Sequence, residues 1–375
     1  MEIFKKSCKL NVKNISYLSL VMMFLIFSAN SCEEVEEKDI KTAAYWTSPI
    51  MNIEQAKRLA IHDVVIVDME NMVNNRNSLK TLKGMNPNLK LVCYSNPMEF
   101  FLPMVPNRPI QRNWYNEVVN YPNWFLRTSN GRPAEFWPGM VMMNLSSMCP
   151  EYSGLNYGRW MADKLLQDVL SDPLWDGYFL DNGGGNISWL YEGKGTQLDI
   201  NGNQMANSAQ EIDYAWSQGI ESFLARIRQV RGSNFIITAN KGSVEMLNVL
   251  DGRMFEHFPN DYLGSKVNHG WNQSMTNAQR MIDRGSKYVF FQAQSAASLE
   301  FVLASSMLLD NVYFMLGQDN VSDHNIYRAK IGKPLGSFQE IDGTYFRRFT
   351  NGRVEVRPQI KWAKIEIHSS PLAQN

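Results

Sequence analysis

Eight short apolar runs follow one another between residues 42 and 316, and the first three end in polar or aromatic residues. Runs such as Val64–Val67 and Tyr178–Leu180 do not alternate polar with apolar residues, which is typical of parallel strands buried on both faces. Helical patterns or loops separate them. This alternation predicts a (β/α)₈ barrel over residues 41–320, and it fits an open doubly wound sheet less well. The predicted strands are 42–47, 64–70, 89–96, 178–180, 235–240, 253–258, 287–292 and 312–316.

After residue 320 the sequence no longer alternates between strand and helix patterns. Tyr345–Phe349 and Arg353–Arg357 flank Thr350-Asn351-Gly352, and Asn-Gly between two strand-like runs is a strong β-hairpin signal. Trp362–Ile367 alternates polar with apolar residues and is a candidate third strand. Residues 321–375 are therefore predicted to form a small antiparallel β extension.

The first 32 residues have the pattern of a lipoprotein signal peptide. Lysines precede an apolar segment at residues 18–29, which is too short to span a bilayer comfortably, and small residues lead to Cys32. We expect removal of the signal peptide and lipidation of Cys32; the alternative is a secretory peptide cut near Ser31. The acidic segment 33–40 resembles the export tether of Bacteroidetes-type surface lipoproteins, or it is a solvated linker. The expected location is the bacterial outer membrane, facing the periplasm or the cell surface.

Charge and motif content argue against several function classes. Lysine plus arginine and aspartate plus glutamate both number 37, and no basic run occurs, so nucleic acid is not an expected partner. No Gly-x-Gly-x-x-Gly or Walker-type loop follows a predicted strand, which removes the main support for a nucleotide cofactor. The five histidines lack the spacing of a zinc site. We therefore predict no cofactor and no metal.

Side chains at the ends of the predicted strands are candidate site residues, because the carboxyl ends of parallel strands meet in one mouth. Asp181 ends the run that begins at Asp176, and Asn182 with three glycines then ends the strand. A role in the turn alone is the alternative for Asp181, since Asp-Asn-Gly is also a turn signal. The predicted substrate-binding residues are Tyr45, Trp46, Asp68, Glu70, Tyr94, Asn96, Asn182, Asn240, Lys241 and Gln292.

Two carboxylates that face each other across the mouth would support cleavage of a glycosidic bond. One protonates the departing oxygen, and the other attacks the anomeric carbon or activates water. We assign these roles to Asp181 on strand four and Glu256 on strand six. The turn should leave Asp181 ionised, whereas the apolar sequence around Glu256 favours a raised pKa and an acid role. The alternative for Glu256 is a structural carboxylate paired with Lys241 or Arg253.

Aromatic residues crowd the segment from Pro97 to about Gly139. Their flat faces suit the C–H surfaces of sugars, and long ordered loops in compact domains are usually functional. The segment is therefore a candidate carbohydrate groove, and the alternative is a satellite core under the loop. The aromatic residues are Phe100, Phe101, Trp114, Tyr115, Tyr121, Trp124, Phe125, Phe136 and Trp137.

Four motifs together resemble the hypothetical glycosyl hydrolase family fifteen over residues 41 to about 358. They are Trp124–Arg127 with Asn130-Gly131, Met143–Ser146, Asp176–Asn182, and Tyr345–Phe349 with Asn351-Gly352. The family is similar to barrel glycosidases around the α-galactosidase and polygalactosaminidase groups. The resemblance implies a catalytic carboxylate at Asp181 by motif and at Glu256 by strand position. The pattern departs at Met142-Met143-Asn144, where an acidic residue is expected, so the residues that support Asp181 remain open.

These patterns together predict a glycoside hydrolase that acts on an oligo- or polysaccharide. Asp181 is the predicted nucleophile or base, and Glu256 is the predicted general acid/base. The alternative is a non-catalytic carbohydrate-binding surface lipoprotein with a degenerate barrel site. A structural lipoprotein that binds a protein partner is a third class, for which an exposed apolar patch outside the mouth would be the sign.

Overall fold

The computed structural model describes residues 39–259 and 270–368, and it contains a closed barrel of eight parallel strands. The strands are β1 (Thr42–Trp46), β2 (Val64–Asp68), β3 (Lys90–Ser95), β4 (Gly177–Leu180), β5 (Ile236–Ala239), β6 (Gly252–Phe255), β7 (Val289–Ala293) and β8 (Val312–Leu316). Each strand pairs with its neighbours in sequence, and β8 closes the barrel against β1. The predicted (β/α)₈ fold is confirmed. Cys32, segment 1–32 and most of segment 33–40 lie outside the described residues.

The strands are apolar throughout because both of their faces are buried. Phe179 in β4 points into the barrel interior, whereas its neighbours Tyr178 and Leu180 belong to the outer core between barrel and helices. Side chains alternate across a strand, so each strand sends one column of residues inward. The apolar members of these columns are Ala43, Tyr45, Val64, Ile66, Val92, Phe179, Met254, Phe290 and Met315.

Helices cover the outside of the barrel. The longer ones are α1 (Ile53–Leu59), α2 (Arg76–Met85), α3 (Pro109–Val118), α4 (Tyr157–Leu165), α5 (Ala209–Arg231), α6 (Trp271–Asp283) and α7 (Leu299–Met307). Shorter helical turns lie at Asn71–Asn74, Val105–Asn107, Pro122–Trp124, Leu166–Leu170, Ser188–Tyr191, Ala296–Ser298, Asn325–Arg328 and Pro358–Ile360. Within residues 39–259 and 270–368, no helix combines the length and the apolar character that crossing a membrane requires.

Helix α5 shows how the sequence sets an element's limits. Ser208 and Glu211 form a capping box at its start, which satisfies backbone N–H groups that have no partner inside the helix. Gly232, with φ of 81°, ends it. The apolar residues that recur every three or four positions from Ile212 are buried as far as Ile227, whereas Val230 in the last turn is 52% exposed.

The long connection between β3 and α4 packs its side chains into the outer core of the barrel. Short strands Glu99–Phe101 and Met140–Met142 pair antiparallel, and Trp114 and Trp124 are almost fully buried. Most aromatic residues of this segment therefore belong to the barrel's outer core rather than to an open groove or a separate satellite core. Among the described tryptophans of the segment, Trp137 is the exposed one.

A four-stranded antiparallel sheet follows the barrel. It consists of β9 (Gln339–Ile341), β10 (Thr344–Phe349), β11 (Gly352–Arg357) and β12 (Trp362–Ile367). The turn at Thr350-Asn351 joins β10 and β11 as the hairpin pattern predicts, and β9 adds a strand that the sequence pattern did not reveal. Val354 and Val356 share a core cluster with Val302 of α7, so this sheet is packed on the barrel's outer layer.

Candidate active site

Polar side chains form the floor of the barrel mouth. Asp68 at the end of β2, and Asp181 and Glu256 directly after β4 and β6, each lie two residues after an interior apolar residue. Because side chains alternate, these groups face the same interior at its carboxyl end. The structure brings together there the predicted residues Tyr45, Asp68, Tyr94, Asp181, Asn240, Glu256 and Gln292.

Asp181 is held by hydrogen-bond donors on both oxygens. Tyr94 Oη donates to Oδ2 at 2.6 Å, and the Asn240 side chain and the Asn182 N–H donate to Oδ1 at 3.1 and 2.8 Å. Burial, together with the charge of Asp181, raises the pKa of Tyr94 well above its usual value. Tyr94 therefore remains protonated and continues to donate to Asp181.

Asn240 connects the two predicted catalytic carboxylates. Its Nδ2 lies 3.1 Å from Asp181 Oδ1 and 2.8 Å from Glu256 Oε2. Because both oxygens contact one nitrogen, they lie within about 5.9 Å of each other. The two carboxylates thus face one space, which is the arrangement that the sequence argument required.

Arg253 supports the backbone segments that carry this pair. It is fully buried, and its Nη1 donates to the carbonyls of Gly183, Asn240 and Lys241 at 2.9, 2.9 and 3.3 Å. Burial lowers the pKa of Arg253 to about 10, so the guanidinium is still charged at neutral pH. The carbonyl oxygens compensate for its lost hydration and at the same time tie β4 to β5 at their carboxyl ends.

The glycines after Asp181 provide space where β4 and β5 end. A Cβ on Gly183 would lie 2.7 Å from Ala239 Cβ, and one on Gly184 would lie 2.5 Å from Lys241 Cδ. Real side chains do not approach so closely. The glycine run therefore lets the Lys241 segment pass close to the loop that follows Asp181.

Asp68 and Glu70, predicted to share a face, have different surroundings. Asp68 Oδ2 pairs with Arg108 Nη1 at 2.7 Å, although burial still raises the pKa of Asp68. Glu70 accepts the backbone N–H groups of Ile110 and Gln111 at 3.0 and 2.9 Å, and so caps α3. Because Glu70 is fully buried, it offers no surface to a substrate.

Tyr45 and Trp46 lie on opposite faces of β1. Tyr45 belongs to the barrel interior and contacts Tyr94 edge-on, with ring centroids 5.6 Å apart. Trp46 packs in the outer core, and its indole N–H donates to the Ile50 carbonyl at 3.1 Å. The structure thus places Trp46 in packing outside the barrel, unlike the sequence prediction for it.

Lys241 and Gln292 lie at the ends of β5 and β7. Lys241 Nζ donates to Asn186 Oδ1 at 2.9 Å. Gln292 is buried and accepts the His257 N–H at 3.4 Å. In the described part of the chain, no group of three or more histidine, cysteine, aspartate or glutamate side chains is arranged to hold a metal.

Glu99 is a third carboxyl group beside the site, and sequence analysis did not find it. Its Oε1 accepts from the amides of Asn96 and Asn182 at 2.6 and 3.1 Å, whereas its buried Oε2 has no hydrogen-bond partner. Burial raises the pKa of Glu99 to about 7. Glu99 therefore supports Asn182, the neighbour of Asp181. A lone acid inside the apolar run 98–102 was the available signal.

Replacing Glu99 with Gln should change how the free energy of unfolding depends on pH. The carboxyl ionises near 4.5 in the unfolded chain and at about 7 in the folded protein, so the folded state retains the proton between these values. Wild-type stability should fall as pH rises through this window, by about 3 kcal/mol in total. Glu99→Gln should lack this fall. Denaturant unfolding of both proteins between about pH 4 and about pH 8 measures the difference.

The same substitution at Glu192, an exposed position, controls for the loss of one negative charge. A difference between wild type and Glu99→Gln that stays constant across the pH series would contradict the retained proton.

A sequence comparison decides the family. The profile of hypothetical glycosyl hydrolase family 15 matches residues 83–353, which is more than half of the chain and includes Asp181, Asn240 and Glu256. The chain belongs to hypothetical glycosyl hydrolase family 15. This membership confirms the resemblance carried by the four sequence motifs.

The family 15 chain is also similar to solved structures of other proteins. The maltogenic α-amylase AmyB from Thermotoga neapolitana is 11% identical over 85% of this chain and 86% of that chain, with a TM-score of 0.49. A dextranase from Flavobacterium johnsoniae is 11% identical over 76% of this chain and 37% of that chain, with a TM-score of 0.47. No curated protein matches the chain.

Proposed function

We propose that this protein is a glycoside hydrolase that cleaves an oligo- or polysaccharide with Asp181 and Glu256. Membership of a glycosyl hydrolase family supports the reaction class. The observation that carries the choice of residues is the contact of both carboxylates with the same Asn240 nitrogen. Two carboxylates around one space at the mouth of a barrel are the groups that glycosidic cleavage uses.

The proposed reaction has two steps. Asp181 attacks the anomeric carbon while Glu256 gives its proton to the departing glycosidic oxygen, which leaves a covalent ester and a free alcohol. Glu256 then takes a proton from water, whose oxygen displaces Asp181 from the anomeric carbon. Tyr94 and Asn240 hold Asp181 in place through hydrogen bonds.

The separation of the carboxylates supports retention of anomeric configuration. The two groups stand about 5–5.5 Å apart in retaining enzymes and roughly 6.5–9.5 Å apart in inverting ones. The oxygens of Asp181 and Glu256 that contact Asn240 lie within about 5.9 Å of each other. We expect the first product to keep the configuration of the substrate, as proton NMR of the anomeric signal immediately after mixing would show. Initial release of the opposite anomer would exclude this mechanism.

A substrate screen tests the proposed activity. Protein lacking residues 1–32 is incubated with host and plant glycans, and newly formed reducing ends are measured. We expect wild type to release reducing ends from at least one glycan and Asp181→Asn to release none. A wild-type protein that binds a glycan without cleaving it would instead be the non-catalytic carbohydrate-binding alternative.

We also propose that Cys32 is lipidated and anchors the protein to the bacterial outer membrane. The sequence pattern around Cys32 supports this proposal. Labelled palmitate should enter the full chain produced in bacteria and should not enter Cys32→Ser. Equal labelling of the two proteins would contradict lipidation at Cys32.

A further inference from the structure

Two exposed indoles lie on loops that follow β3 and β4. Trp137 is 41% exposed and Trp189 is 39% exposed. Half-buried Phe136 contacts both edge-on, with ring centroids 5.2 Å from Trp137 and 5.6 Å from Trp189. The three rings thus form one continuous aromatic surface, which we call the indole platform.

The indole platform is held in place before any ligand arrives. Asp213 of α5 accepts hydrogen bonds from the Ile187 N–H, the Ser188 N–H and the Ser188 hydroxyl at 2.8 to 2.9 Å, which fixes the turn that carries Trp189. The Glu135 N–H donates to Tyr191 Oη at 3.0 Å and ties the two loops together. Binding therefore need not order these loops, which reduces its entropic cost.

A chain of direct contacts connects the indole platform with the catalytic pair. The Trp189 indole N–H donates to the Asn186 carbonyl at 3.2 Å, and Asn186 Oδ1 accepts from Lys241 Nζ at 2.9 Å. The Lys241 N–H donates to Asn240 Oδ1 at 2.7 Å. Asn240 is the residue that contacts both carboxylates. The loop that carries Trp189 is therefore linked through Asn186 and Lys241 to the residue that contacts both carboxylates.

The composition of this surface matches a sugar chain. In the described loop segments 130–147 and 182–200, Trp137 and Trp189 are the exposed large apolar side chains, and the neighbouring segment, bonded to Gly139 through the Leu102 N–H, adds exposed Leu102 and Met104. Aromatic faces pack on the C–H surfaces of sugar rings, and the amide of Asn186 and the ammonium of Lys241 can bind hydroxyl groups. A protein interface of useful size would need a broader apolar centre than two indoles with Leu102 and Met104 beside one of them.

We propose that Trp137 and Trp189 form a binding subsite for a glycan chain that extends from the catalytic pair. The proposal rests on the proposed function, since it takes the mouth to be the place where one sugar of that chain is cleaved. It implies a substrate of several sugar units, because a chain that occupies both the mouth and the two loops must be longer than one sugar.

Affinity gel electrophoresis with Asp181→Asn protein tests the proposal, since this variant does not degrade the gel additive. The soluble additives are starch, arabinogalactan, xyloglucan, pectin and mucin, each in a separate gel. We expect at least one of them to retard the protein. Adding both Trp137→Ala and Trp189→Ala to the Asp181→Asn protein should raise its dissociation constant for the retarding glycan at least tenfold. Circular dichroism and thermal unfolding check that the variant is folded, and Trp137→Phe with Trp189→Phe, which keeps smaller rings, should bind with intermediate strength.

A matched Trp→Ala change at Trp362, which lies in β12 outside the barrel, should leave retardation unchanged. Equal retardation of the double variant and its parent would overturn the proposal, as would a folded parent that none of the additives retards. Loss of self-association in the double variant without loss of glycan binding would show a protein interface instead. If wild type binds a glycan through the platform but releases no reducing ends from it, the proposed hydrolase function fails while the subsite stands.

Discussion

Replacing Asp181 with Asn should lower kcat/KM for glycan hydrolysis by about 10⁴-fold or more while leaving glycan binding intact. The amide has almost the same shape as the carboxylate, so the mouth keeps its form. It cannot, however, form the ester with the anomeric carbon. Reducing-end release measures the loss, and affinity electrophoresis measures the binding that persists.

A smaller side chain identifies the role of Asp181 more sharply. Asp181→Gly leaves room at the anomeric carbon, so azide should attack an activated glycosyl fluoride there and give a glycosyl azide of inverted configuration. Asp176→Asn is the matched control, because Asp176 precedes the same strand at its other end. Asp176 binds Lys83 and the Leu91 N–H, each at 2.7 Å. The Asp176→Asn substitution should lower the stability of the protein and leave the kcat/KM of the folded protein unchanged. Equal losses of kcat/KM in Asp176→Asn and Asp181→Gly would show that Asp181 has no catalytic role.

Replacing Glu256 with Ala should slow hydrolysis of natural glycans by about 10²–10⁴-fold, and the size of the loss should depend on the leaving group. A dinitrophenol leaves without protonation, so formation of the covalent intermediate from its glycoside should be slowed little. Hydrolysis of that intermediate still needs a base, and the intermediate should therefore accumulate. Azide, which needs no base, should then release it as a glycosyl azide of retained configuration.

Comparing substrates with different leaving groups shows whether Glu256 is an acid/base catalyst or a structural carboxylate. Asp68→Asn provides the contrast, because Asp68 pairs with Arg108 and should affect all leaving groups equally. Losses for Glu256→Ala that are the same for every leaving group, with no effect of azide, would assign Glu256 to the structural alternative. Opposite azide products from Asp181→Gly and Glu256→Ala would establish the two roles together.

Sequence periodicity was sufficient to place the floor of the site as far as the first residue after each strand. Asp68, Asp181 and Glu256 continue inward columns, and the alternation of side chains carries that information locally. The same argument failed for Glu70, because β2 ends at Asp68 and the backbone at Glu70 turns to helical angles, with φ of −62° and ψ of −22°. Asp181 and Glu256 come directly after β4 and β6 and keep the alternation of the strand, whereas Glu70 lies two residues past the end of β2, where a spacing of two residues no longer means a shared face.

The residues that support the site could not be predicted from local patterns, because they contact residues that are distant in sequence. Arg108 reaches Asp68 from the start of α3, Arg253 holds the Gly183 carbonyl from another strand, and Glu99 meets Asn182 across 83 positions. The aromatic segment after β3 shows the same limit. Its composition does not distinguish buried Trp124 from exposed Trp137, since burial depends on which loops fold over each ring.

The sequence by itself determined the barrel, the hairpin after it and the order of polar residues at the strand ends, because these follow from short-range periodicity and turn chemistry. Only the tertiary structure decided that Asp181 and Glu256 share the Asn240 amide, that Glu70 caps a helix, and that Trp137 and Trp189 form one surface. These outcomes depend on closure of the sheet and on the paths of the loops, which bring together side chains that no local pattern relates.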